Sequence, residues 1–164
     1  MRAQETKMLL PMRAAMALAV ASLALGDLLV KSIVTTTMAD GRVLDYGIIN
    51  LRLAYNTGVA FSLGATLSPW IVVAATAVIV TALAVFLYRA APGFNRIARA
   101  GAVLLLGGAL GNLVDRMDGA GVVDYLHTGW FPTFNLADVF VTGGVVLLVL
   151  GSFRTPARTT EERH

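Results

Sequence analysis

Cysteine is missing from all 164 residues. That excludes a disulfide framework, a thiolate metal site and a thiol nucleophile, and the chain cannot itself be lipidated on a cysteine. Histidine is nearly missing as well, with His127 and His164 the only two, and no HExxH pattern holds them. A zinc-dependent protease is therefore disfavoured. No GxSxG motif or serine–histidine pairing is evident, and His127 reads as a loop or interfacial histidine, with a role as base the lesser reading. The GxGD pattern of one class of intramembrane aspartic protease is absent too, because Ala24-Leu25 precede Gly26-Asp27. Charge is scarce: 14% of residues are charged against 57% apolar, and the mean hydropathy is +0.73. A soluble domain of this size is nearer half apolar, so the bilayer is the expected solvent.

The apolar residues fall into four runs, at 14–34, 69–87, 97–114 and 136–153. At about 1.5 Å rise per residue, each is long enough to cross a hydrocarbon core of about 30 Å. No linker or repeat divides the chain, which reads as a single integral membrane domain over 1–164. The sequence pI near 9.7 does not point to nucleic acid, because the basic residues sit at the ends of apolar runs and form no patch. They act as topology signals. Nine of them (Arg2, Lys7, Arg13, Arg89, Arg96, Arg99, Arg154, Arg158, Arg163) fall at one end of the spans and three (Arg42, Arg52, Arg116) at the other. Both termini are then expected in the cytoplasm. A cleaved signal peptide over the first span is the weaker reading, since no polar mature domain follows Asp27 and Lys31.

The region 35–68 is the one sizeable external piece. Ile49, Leu51, Leu53 and Tyr55 alternate with Asn50, Arg52, Ala54 and Asn56, the pattern of a half-buried strand. Asn56-Thr57-Gly58 reads as a turn before the apolar run 59–63. A small sheet resting on the outer membrane surface is predicted.

Seven of the ten acidic residues (Asp27, Asp40, Asp45, Asp115, Asp118, Asp124, Asp138) gather on that outer side. A charged residue within a span costs about 2.5 to 3.5 kcal/mol on insertion scales, so each marks a candidate site. Asp27 and Lys31 lie four residues apart on one helical face and can pair; a structural or positioning role is favoured over chemistry. Asp124, in GVVDYLH, is flanked by apolar residues that would desolvate it. Asp138, in FNLADVF, falls in the first turn of a helix that Asn135 can cap, where the helix dipole favours an anion. Two carboxylates in opposed environments suit acid and base roles. On spacing alone a structural role stays open. In GGALGN, Gly107 and Gly111 form a GxxxG that lets helices approach closely and brings Asn112 and Arg116 onto one face. A proton-coupled transporter would need polar residues across the whole membrane, and the second span has no charge. A purely structural four-helix scaffold leaves the outer polar cluster unexplained.

DLLVK at 27–31, NTGVAFS at 56–62, GNLVDR at 111–116, VVDYL at 122–126 and FNLADVF at 134–140 together resemble the bacterial lipoprotein signal peptidase family, signal peptidase II. The blocks run in the family's order over most of the chain. Departures are mild: Val59 and Val114 replace other small or branched apolar residues, and Tyr125 stands where phenylalanine is common. The resemblance implies an all-α membrane protein of four transmembrane helices with a small periplasmic β-sheet, or cradle, between helices 1 and 2, and a mobile element at 118–130 over the site. It implies a cofactor-free aspartic endopeptidase of the bacterial inner membrane, a monomer with its site facing the periplasm. The substrates would be prolipoproteins, held with membrane lipid and cut just before a diacylglyceryl-modified cysteine. The catalytic residues would be Asp124 and Asp138, and Asp27, Lys31, Asn56, Asn112, Arg116 and Asn135 would shape the site or bind substrate.

Overall fold

The computed structural model describes residues 2–57 and 68–153, with side chains from residue 9 onward in the first helix. The turn glycine Gly58, the run 59–63 and the polar tail 155–164 lie outside the described residues.

Four apolar helices form where the four runs predicted them. They are α1 (Arg2–Thr37), α2 (Pro69–Ala90), α3 (Arg96–Asp115) and α4 (Leu136–Phe153), each long and apolar enough to cross a membrane. Many large apolar side chains on them are exposed, Leu18 at 70% and Val78 at 69% among them. Water would not tolerate that surface; lipid does. The described helix α1 starts twelve residues before the predicted span, at Arg2 instead of Ala14, because helix can continue past the bilayer edge into water. At its other end Thr35 and Thr37 hydroxyls donate to the carbonyls of Lys31 and Ile33, which satisfies polar side chains within the helix and carries it past Val34.

Helix α3 is the hub: it packs most extensively on α4, and also on α1 and α2. Glycine sets the close approach. A Cβ at Gly101 would stand 2.6 Å from the Leu148 amide of α4, and one at Gly151 would stand 2.7 Å from Ala98 of α3. The GxxxG pair meets α1 instead: a Cβ at Gly107 would lie 2.8 Å from the Leu23 side chain, and one at Gly111 would lie 2.8 Å from Asp27 Oδ2. Backbone proximity thus serves packing at one glycine and admits a carboxylate at the other.

The predicted sheet is present and larger than expected. β1 (Val43–Asp45) and β2 (Asn50–Asn56) pair antiparallel, and β2 pairs again with β3 (Val122–His127), contributed by the segment between α3 and α4. The sheet expected between helices 1 and 2 is there, and it takes its third strand, 122–127, from within the segment 118–130 that follows α3. Val122 through Tyr125 are all buried. A strand covered on both faces shows no polar alternation, so period-two reading does not find it. Val34 and Met38 at the end of α1 pack against Val123 and Tyr125, which seats the sheet on the helices. Gly121, at φ +101°, makes the turn into β3, and a Cβ there would stand 2.7 Å from the Asn56 carbonyl.

Candidate active site

Asn135 lies immediately before α4 and is fully buried. Its side-chain oxygen accepts from the Asp138 amide at 3.0 Å, and its own amide donates to Asp138 Oδ2 at 3.1 Å. This reciprocal capping box fixes the first turn of α4 and the Asp138 carboxylate together. The Asn135 Nδ2 group then reaches outward. It donates to Asp124 Oδ1 at 2.7 Å and to Asn112 Oδ1 at 3.2 Å, while Asn112 Nδ2 donates to Asp138 Oδ1 at 2.9 Å. Asp124, presented by β3, and Asp138, presented by α4, therefore share one asparagine.

A second layer lies beneath them. Asp27 and Lys31 on α1 are 0% and 2% exposed and pair at 2.9 Å. Asp27 Oδ1 accepts from the Ala137 amide at 2.9 Å, another of the free N–H groups at the start of α4. Lys31 Nζ donates to Asn112 Oδ1 at 2.8 Å and pairs with Asp115 Oδ2 at 3.1 Å. Two carboxylates and an amide oxygen use all three of its protons. The expected pair of Asp27 and Lys31 is thus part of a framework that ties α1 to the end of α3 and the start of α4.

Two residues in this framework were not among the predicted site residues. Asp115 compensates Lys31 and also accepts from the Val123 amide at 2.7 Å, so it couples α3 to β3 one residue before Asp124. Its signal was its depth at the end of the third span. The Tyr125 hydroxyl accepts from the Leu136 amide at 3.2 Å; the sequence offered only that tyrosine replaces a common phenylalanine. Burial pushes that phenol up to about 12.

Burial also raises Asp124 above the ordinary carboxylate range; hydrogen bonds from Asn56 and Asn135 pull it down, and the nearby Asp138 charge raises it. Asn56 thus reaches the site from the end of β2. Arg116 donates to the Asn112 carbonyl at 3.1 Å, and its charge acts on Asp138, Asp124 and Asp115. Among the described residues its Nε is buried without a hydrogen-bond partner, and no carboxylate lies within ion-pair distance of it. All eight predicted site residues meet at this one end of the bundle. His127 ends β3 opposite Asn50, and among the described residues no hydrogen bond joins it to the carboxylates. Among the described residues, no group of three His, Cys, Asp or Glu side chains is placed to hold a metal ion.

Residues 18–154 match the model of the family described as signal peptidase (SPase) II. The chain belongs to the signal peptidase II family. Its relatives include the lipoprotein signal peptidase of Mesorhizobium japonicum, 41% identical over 137 residues that cover 80% of each chain. The lipoprotein signal peptidase of Pseudomonas paraeruginosa is 49% identical over 111 residues, which cover 63% of this chain and 65% of that one. A solved bacterial membrane enzyme superposes with a TM-score of 0.70 at 27% identity, over 92% of this chain and 94% of the other. Membership makes the chain a membrane protease of bacterial lipoprotein processing, in a family whose work is removing signal peptides from prolipoproteins.

Proposed function

We propose that the chain is an aspartic endopeptidase that cuts diacylglyceryl-modified prolipoproteins just before the lipid-bearing cysteine, with Asp124 and Asp138 as the catalytic pair. The observation that carries the reading is the shared asparagine: Asn135 holds both carboxylates in one network at a helix start. Burial of Asp124 favours the proton on that residue, and Asp138 takes the part of the base.

The base takes a proton from a water whose oxygen attacks the scissile carbonyl, while the protonated carboxyl donates to the carbonyl oxygen. As the tetrahedral intermediate collapses, the C–N bond breaks and the leaving amine takes a proton from the former base. The products are a signal peptide with a new carboxylate and a lipoprotein with a free cysteine amine. No cofactor enters this route. Asn112, Asn135 and Asn56 orient the carboxylates, Asp27 and Lys31 hold the helix ends, and Arg116 is suited to grip a substrate carbonyl. The site lies at one end of the spans, so a substrate arriving as a membrane helix keeps its acyl chains in lipid while its cleavage point meets the pair. Each buried CH₂ adds about 0.8 kcal/mol to that recognition.

By the distribution of basic residues, this end faces the periplasm across the bacterial inner membrane and both termini lie in the cytoplasm. The chain acts as a single-domain monomer. The test is incubation of the purified protein with a diacylglyceryl prolipoprotein and with its unlipidated form. Cleavage of the lipidated form alone is expected. Cleavage of neither refutes the function, and equal cleavage of both refutes the lipid dependence. Asp124→Asn and Asp138→Asn should each lower kcat at least about a hundredfold, and near-normal turnover in either removes that residue from the pair.

A further inference from the structure

At the end of the bundle away from the carboxylates, α1 and α2 both rest on α3 and leave between them a cavity of about 610 Å³. Its walls are apolar, with Val20, Ala21, Val85, Leu106 and Leu110 among them, and Arg13, Tyr88 and Arg89 stand at one end. We propose that this cavity binds one acyl chain of an anionic phospholipid from that leaflet, with the headgroup phosphate taken by Arg13 and Arg89.

Length, charge and an unpaired donor point to this occupant. The lining runs from Arg13 to Ala21 on α1 and from Ala102 to Leu110 on α3. Gly107 and Gly111 of α3 meet Leu23 and Asp27 of α1, so the α3 wall is set more than a turn deeper than the α1 wall, and at about 1.5 Å per residue the cavity runs about 20 Å from Arg13, well short of a core of about 30 Å. A helical peptide crossing the membrane would overrun it. Arg13, Arg89, Arg96 and Arg99 lie at this end, and among the residues whose side chains are described no carboxylate accompanies them. A signal peptide, with its basic beginning, would meet like charge here, whereas a phosphate meets opposite charge.

Arg13 is also held ready. Its guanidinium lies 4.1 Å above the Tyr88 ring, and its two hydrogen bonds to Tyr88 are long, at 3.4 Å, near the limit of such bonds. Its Nε is buried with no partner among the described residues. Leaving a buried donor unmade is unfavourable, and a phosphate oxygen supplies a strong acceptor in a geometry the guanidinium matches.

The test is native mass spectrometry of the full chain in detergent, offered equal amounts of phosphatidylglycerol and phosphatidylcholine with identical acyl chains. The wild type should retain one phosphatidylglycerol in about tenfold preference, the worth of one charge-assisted hydrogen bond. Arg13→Ala/Arg89→Ala should lose the preference, and Ala21→Trp, which fills the cavity from an exposed position, should lose both lipids. Cleavage of lipidated prolipoprotein by each variant reports that it has folded; should the double variant fail to fold, Ala21→Trp alone decides. Equal retention of the two lipids by the wild type, or undiminished phosphatidylglycerol on Ala21→Trp, overturns the proposal. So does photo-crosslinking from residue 17 to the signal peptide in place of lipid.

Discussion

Replacing Asn135 separates the two jobs its side chain performs. In Asn135→Ala the Asp138 amide loses its acceptor and Asp124 loses a 2.7 Å donor. In Asn135→Ser a hydroxyl can still cap the helix, but it is too short to replace the amide group that reaches Asp124. A hydrogen bond to a charged group is worth about 1.5 to 3 kcal/mol. At about 1.36 kcal/mol per factor of ten, kcat should fall about ten- to 150-fold in both variants. The cap is worth about 1 kcal/mol, so stability should fall clearly in Asn135→Ala and much less in Asn135→Ser. Loss of the Asn135 bond also removes a contact that pulls Asp124 down; the alkaline limb of the pH–rate profile, where Asp124 gives up its proton, should move to higher pH in both. The assays are initial rates on a lipidated prolipoprotein across pH and thermal unfolding in one detergent. Near-native kcat in Asn135→Ser would refute the claim that the amide couples the two carboxylates, since the helix cap would then account for everything Asn135 does.

Lys31→Met leaves Asp27 and Asp115 buried without their cation, a loss of about 3 to 5 kcal/mol of stability. Adding Asp27→Asn should restore part of it, and an unfolding double-mutant cycle reads the coupling. Stability should also depend on pH through Asp124. Its folded value lies above the ordinary carboxylate range, so across that window the folded chain holds a proton the unfolded chain has released. Stability then falls as pH rises through the window, and an unfolding-midpoint series should show a flatter dependence in Asp124→Asn. Gly101→Ala forces a Cβ to within 2.6 Å of the Leu148 amide and should cost about 1 to 3 kcal/mol, measured as a lower unfolding midpoint, with KM for the lipidated substrate nearly unchanged.

The four spans were legible because a bilayer imposes one simple demand, about 20 apolar residues per crossing, and the chain meets it four times. The start of α4 was legible for a local reason: Asn135 and Asp138 stand three apart, the spacing of a capping box. Motif order, which carries chemistry as well as packing, named the remaining site residues. Tertiary structure alone decided how those residues are joined. Lys31 takes its second carboxylate from Asp115 on α3, eighty-four positions along the chain, and no local pattern announces a partner so distant. β3 hid its strand character because Val122 through Tyr125 are all buried, with Val123 and Tyr125 packed against Val34 and Met38 at the end of α1. Asp124 is thereby carried on a rigid strand rather than in a free loop. Depth in the membrane could be read from the sequence, since each residue's hydropathy contributes to it locally. The pairing of Asp124 with Asp138 through one buried asparagine could not, because it exists only once the sheet has docked on the helices.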